Sequence, residues 1–175
     1  MNRESHSADP SQVGALAARM AAEAAAQPET RLLALGALRA HWPVCIARYN
    51  AGGAPAFVNA LAAWAQSIAH VREPASVGEI VCAPWRTVLY RAGDCDDVAC
   101  AVAAFAAVVG LPAAIGIERD ADGKNAHAVA LIGDDWTNDP ANRGRLTHVI
   151  DQQGIRPPHQ QPSAPLEVYP VSLGK

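Results

Sequence analysis

The chain has 175 residues, a formal charge of −3 and four cysteines, and half of its residues are hydrophobic. Of the hydrophobic residues 38 are alanine, and just nine residues are aromatic, so the larger apolar side chains suffice for one compact core and hardly for two. The charge balance gives no electrostatic ground for a nucleic-acid partner, and 12 arginines against two lysines read as compositional bias rather than a phosphate-binding surface.

Residues 1–12 are polar and without period, and are expected to lack fixed structure. They also lack the apolar stretch of a secretory signal, so thiols in a reducing compartment are the expectation. An alanine-rich helix is predicted over Val13–Ala26. Thr30 is placed to cap a second helix over Arg31–Ala40, with Leu32, Leu35 and Leu38 along one face. The run Asn50-Ala51-Gly52-Gly53-Ala54-Pro55 reads as a linker. Residues 1–50 are therefore expected to be a disordered segment and helical extension, and residues 51–175 the main domain.

Ala56–His70 is predicted helical through Phe57, Leu61, Trp64 and Ile68, and a short segment follows around Pro84–Leu89. A long helix is predicted over Cys95–Val109, then strands over Ala113–Glu118, Ala126–Ile132 and Arg145–Asp151. The tail from Gly154 holds five prolines and is expected to wrap the surface in extended form. Val98–Ile117 runs 20 residues without a charge, enough to imitate a membrane span. Gly110-Leu111-Pro112 interrupts it, so it reads as a buried helix turning into a buried strand, and no membrane association is expected. Helices first and a strand meander afterwards place the chain in the α+β class.

The chemistry concentrates in Gly93-Asp94-Cys95-Asp96-Asp97. A cysteine here falls in the first turn of a predicted helix, behind a capping aspartate. Backbone N–H groups at a helix start favour a thiolate and can donate to an oxyanion. The three carboxylates oppose the thiolate, so a histidine must stand nearby. His127 lies 32 residues downstream, on the predicted strand that returns the chain to the helix start. Such a pair needs a third group to orient the imidazole. Asp151, at the end of the next strand, and Asp139, in Trp136-Thr137-Asn138-Asp139-Pro140, are the two candidates. Cys45, Cys82 and Cys100 read as core, with no C-x-x-C pair among the cysteines. Three residues from Asp151 along a strand, His148 should face the other side. Trp85 and Trp136 are open between pocket lining and core.

The run Arg91-Ala92-Gly93-Asp94-Cys95-Asp96-Asp97-Val98-Ala99, the long helix, Gly110-Leu111-Pro112-Ala113 and the strand with His127 resemble the transglutaminase-like superfamily, as does the lead-in Glu79–Leu89. The resemblance spans roughly Ala56 to Asp151. It implies a papain-like core, a cysteine-bearing helix packed on a small antiparallel sheet, with Cys95 as nucleophile and His127 as base. The third position departs from the family pattern. Asp139 has the tryptophan and proline neighbours but a poor strand, whereas Asp151 has the hydrophobic strand and is favoured, because a longer loop costs little. The implied activity is that of a cysteine peptidase or amidase on a protein or peptide, ranked above transamidation. The alternative is a phage or prophage structural or assembly protein that uses the fold for binding, with phage structural proteins as partners. The expected location is cytoplasmic or virion-associated. No cofactor is expected. Asp94, Asp96 and Asp97 match calcium-binding positions of some bacterial peptidases in the superfamily, but capping and helix-dipole complementation is the preferred reading of all three.

Overall fold

The computed structural model describes residues 3–6, 9–41, 54–72, 79–120, 126–133, 148–156 and 166–173. Helix α1 (Pro10–Ala25) starts at Asp9, whose carboxylate accepts the Ser11 N–H, with proline in the first turn. Helix α2 (Pro28–Leu38) starts at Gln27 rather than at the expected Thr30. The Thr30 hydroxyl instead donates to the Ala24 carbonyl at 2.6 Å, tying α2 to the end of α1. The leucines of α2 do not share a face: Leu38 is buried while Leu32 and Leu35 are exposed. Steps of three residues fall short of a 3.6-residue turn, so Leu32 and Leu38 diverge by about 120° around the axis.

Helix α3 (Ala54–Gln66) ends earlier than expected, because Ala69–His70 (β2) leaves to pair in parallel with Ala92–Gly93 (β4). Residues 3–6, expected to be unstructured, form strand β1 (Arg3–His6), antiparallel to β3 (Glu79–Cys82). Helix α4 (Pro84–Tyr90) closes at Arg91 in the left-handed region, φ 51°. The expected linker at 50–55 and part of the third predicted strand, residues 145–147, lie largely outside the described residues.

Helix α5 (Cys95–Val108) begins where the sequence places it, with Asp94 as the cap. Gly110, at φ 84°, stops it and releases the chain into strand β5 (Ala113–Arg119). Strands β6 (Ala126–Ile132), β7 (His148–Asp151), β8 (Gly154–Ile155) and β9 (Leu166–Pro170) complete an antiparallel sheet in the order β8-β7-β6-β5-β9. The proline-rich tail is thus more than a surface wrap, since β9 adds an edge strand alongside β5.

The architecture is α+β, with helices on one face of a small antiparallel sheet. Every residue of α5 from Asp96 to Ala107 is buried, including Ala99, Ala101, Ala103, Ala104, Ala106 and Ala107. Around it pack Val13, Leu16 and Ala17 of α1, Leu38 of α2, Leu61 and Trp64 of α3, and the inward residues of β5, β6 and β7. The N-terminal helices, expected as an extension, share this one core with the rest. Trp64 meets Phe105 with ring centroids 5.3 Å apart. The other face of the sheet carries a smaller cluster of Ala114, Val129, Leu131, Val149 and Leu166. No described helix is long and apolar enough to cross a membrane.

Candidate active site

The site grows from the start of α5. The Asp94 carboxylate accepts the Asp97 N–H at 3.4 Å, and Asp97 in turn accepts the Cys82 N–H at 2.6 Å. The cap is thereby joined to β3. Gly93 makes this close approach possible, since a Cβ there would fall 2.8 Å from the Asp97 Cβ. Cys95 is the first helical residue, half-buried and outside any disulfide. It opens on a cavity of about 80 Å3 shared with Asp96, Ala126 and Ala128. The strand bearing His127 therefore lies against the helix start.

His127 and Asp151 are brought together, with Nε2 and Oδ2 3.3 Å apart. Between Ala126 and Ala128, His127 points to the other face of β6, the one it shares with Val129 and Leu131. Glu118 stands directly across from it on β5. Asp151 is buried, and its Oδ1 accepts the Gln153 N–H at 2.7 Å inside the tight turn from β7 to β8. Arg156 binds both acids: Nε and Nη2 donate to Asp151 Oδ2 at 2.8 and 2.7 Å, and Nη1 donates to both oxygens of Glu118 at 2.6 Å. Burial alone would raise the Asp151 pKa. The contacts with His127, Arg156 and the Gln153 N–H outweigh it and hold the carboxyl at about 2.

The same turn reaches back to the cysteine helix. Gln152 Nε2 donates to the Gly93 carbonyl at 3.0 Å, and its Oε1 lies 2.7 Å from His70 Nδ1. The residue after Asp151 is thus hydrogen-bonded to the residue two before Cys95. Sequence reasoning missed Arg156, Glu118, Gln152 and His70. The Asp151–Gly154 turn was the available signal for Arg156, because a two-residue hairpin sends residue 156 back beside Val149.

Asp94, Asp96 and Asp97 are all buried, and one carboxylate oxygen from each falls within 4.8 Å of the others. Neither oxygen of Asp96 has a hydrogen-bond partner among the described residues. Burial, then the adjoining carboxyls of Asp94 and Asp97, push the Asp96 pKa far above the carboxylate range. Burial and Asp94 raise Asp97 to about 6. Ligand oxygens on a cation at ~2.4 Å lie up to ~4.8 Å apart, so the spacing fits a calcium-sized ion, with further oxygens needed to complete its shell. Cys100 is fully buried with its thiol pKa raised by burial, and belongs to the core as expected. His148 pairs with Ile132 on the face away from Asp151. Trp85 is half exposed and lines a separate cavity with Met20 and Leu33, not the one at Cys95. Asp139, Trp136 and Cys45 lie outside the described residues.

No protein-family model and no curated protein matches the chain.

The Arg156 link makes a measurable prediction. The Asp151 pKa is lower in the folded chain than the unfolded ~3.9, so its pairing stabilises the fold above pH ~4. That contribution is lost as pH falls through about 2. Arg156→Met takes the cation from part-buried Glu118 and leaves buried Asp151 with only His127 and the Gln153 N–H, and should cost about 3 kcal/mol at neutral pH in denaturant titrations. It should also move the onset of acid unfolding to higher pH. A cost below about 1 kcal/mol, the range of an exposed pair, would contradict the network.

Proposed function

We propose that the protein is a transglutaminase-like thiol hydrolase, a cysteine peptidase or amidase working through Cys95, His127 and Asp151. The observation that carries this reading is the turn at Asp151. It holds the His127–Asp151 pair at 3.3 Å while Gln152 is bonded to Gly93 at the start of the Cys95 helix. In the proposed reaction the Cys95 thiolate attacks an amide or ester carbonyl, and the oxyanion takes the N–H groups at the start of α5. His127 protonates the leaving group, then removes a proton from the water that releases the acyl group from Cys95. Because Nε2 faces Asp151, Nδ1 is the ring atom that serves the sulfur. Cys95 opens on the face of β6 that carries Ala126 and Ala128 while His127 stands on the other, so the proposed proton transfer requires the imidazole to reach the thiol around the end of the sheet, beyond the first residues of β6. Water is favoured as acceptor over an amine, since nothing in the sequence marks a lysine site.

Alkylation of Cys95 by iodoacetamide across pH tests the reading. The expected outcome is a rate above that of a free thiol near neutral pH, reduced at least about tenfold in His127→Ala, in line with loss of an activating base. Asp151→Asn should reduce it where Asp139→Asn does not. If Cys95 reacts like a free thiol in all four proteins, the nucleophile reading fails. The pairing of Asp151 with Arg156 favours a second reading, binding without catalysis, as in a phage or prophage structural or assembly protein. There the ion pair would be architectural and His127 a surface contact.

The thiol chemistry needs no resident cofactor. Calcium at Asp94, Asp96 and Asp97 is a separate proposal, supported by three buried carboxylates with oxygens within 4.8 Å of one another, of which neither Asp96 oxygen finds a donor among the described residues. Millimolar calcium should raise the thermal midpoint of the wild-type chain and leave Asp96→Asn unmoved. Equal shifts in both, or none in either, would remove the calcium reading.

A further inference from the structure

The cavity at Cys95 has a wall that comes from outside the stretch resembling the superfamily. Pro10 and Val13 of α1 line it together with Ile117 of β5, Ala126 and Ala128 of β6, and Cys95 and Asp96 at the start of α5. Apart from the thiol and Asp96, its lining is apolar. Its volume of about 80 Å3 is about half of the ~150 Å3 cavity that a benzene ring fills. A methyl or isopropyl group enters such a space, and an aromatic ring does not.

The wall is held in place. Ser11 Oγ donates to Glu167 Oε2 at 2.8 Å and accepts from Arg119 Nη2 at 3.0 Å. Arg119 Nε also donates to Glu167 Oε1 at 2.8 Å, and the Tyr169 hydroxyl donates to Glu167 Oε2 at 2.6 Å. These contacts clamp the start of α1 to β5 and β9. One turn on, Gly14 lies so close that a Cβ would fall 2.5 Å from the Tyr169 ring and 2.7 Å from Ile117. The helix is seated hard against the sheet, and the cavity width follows from that seating.

We infer that α1 completes a specificity pocket beside Cys95, which accepts a small aliphatic side chain on the acyl part of the substrate and excludes aromatic ones. The inference rests on the proposed thiol chemistry and adds the class of acyl group. Alanine or valine next to the scissile bond fills the pocket without displacing α1. Phenylalanine needs either α1 or β6 to move, and both are bound into the core.

Acetyl-alanine, acetyl-valine and acetyl-phenylalanine chloromethyl ketones probe it directly. Each alkylates Cys95 by forming a bond from sulfur to the methylene carbon and expelling chloride. Rates at Cys95, read by mass spectrometry, are divided by the iodoacetamide rate of the same protein. The alanine and valine reagents should exceed the phenylalanine reagent by about tenfold or more, the scale on which a pocket discriminates side-chain size. Val13→Ala and Ile117→Ala should each narrow that ratio, and Ala126→Leu, at an exposed strand end, should slow the valine reagent. Thermal unfolding identifies any variant that fails to fold, and the remaining two then decide. Equal normalised rates in the wild type, or a ratio that none of the folded variants changes, overturns the pocket and leaves Cys95 chemistry standing. Iodoacetamide reactivity no greater than a free thiol and insensitive to His127→Ala overturns the thiol chemistry and the pocket with it.

Discussion

The structure depends on α5 being enclosed on every side. A helix that is apolar all round has no solvent face to choose, and is stable only when other elements surround it. Alanine makes this enclosure tight. Six alanines between Ala99 and Ala107 keep the helix slim, so that α1, α3 and the sheet approach its backbone together. The same enclosure fixes the direction of the helix start, and hence the placement of Cys95 against the first residues of β6.

Two groups of buried or part-buried acids are handled differently. On the far face of the sheet, Asp151 and Glu118 share one arginine, and the turn at Gly154 is what delivers Arg156 to them. At the helix start, Asp94 and Asp97 use one oxygen each to cap α5 and to hold β3, while Asp96 gains no partner among the described residues. An ionised carboxylate buried in this way is costly, so Asp96 remains protonated unless a cation joins it. The thiol of Cys95 therefore sits beside a carboxyl that adds less negative charge than the sequence suggests. This eases the electrostatic objection raised by three neighbouring aspartates.

Much of the site was legible because its parts are local. Asp94 before Cys95 is a cap with a helix behind it, Gly110 and Pro112 stop that helix, and β6 spans the residues expected for that strand. The His127–Asp151 pair followed from two neighbouring antiparallel strands. What escaped was non-local or two-sided. Strand β1 gains its order from β3, more than seventy residues away, and β9 from β5, so a polar or proline-rich segment gave no sign of either. Thr30 looked like a cap, yet Pro28 had already begun the helix. The two-residue period of a strand sends His127 to the face opposite Ala126 and Ala128. Spacing between Cys95 and His127 along the chain carries no information about that.

The central claim is that His127 sets the ionisation of Cys95. Ultraviolet absorbance of the thiolate, followed against pH in the wild type, His127→Ala and a Cys95→Ser reference, measures this without a substrate. The account predicts a Cys95 thiolate that forms well below the ordinary thiol value of ~8.5 and returns towards it when His127 is replaced. Superimposable titrations of the wild type and His127→Ala would contradict it.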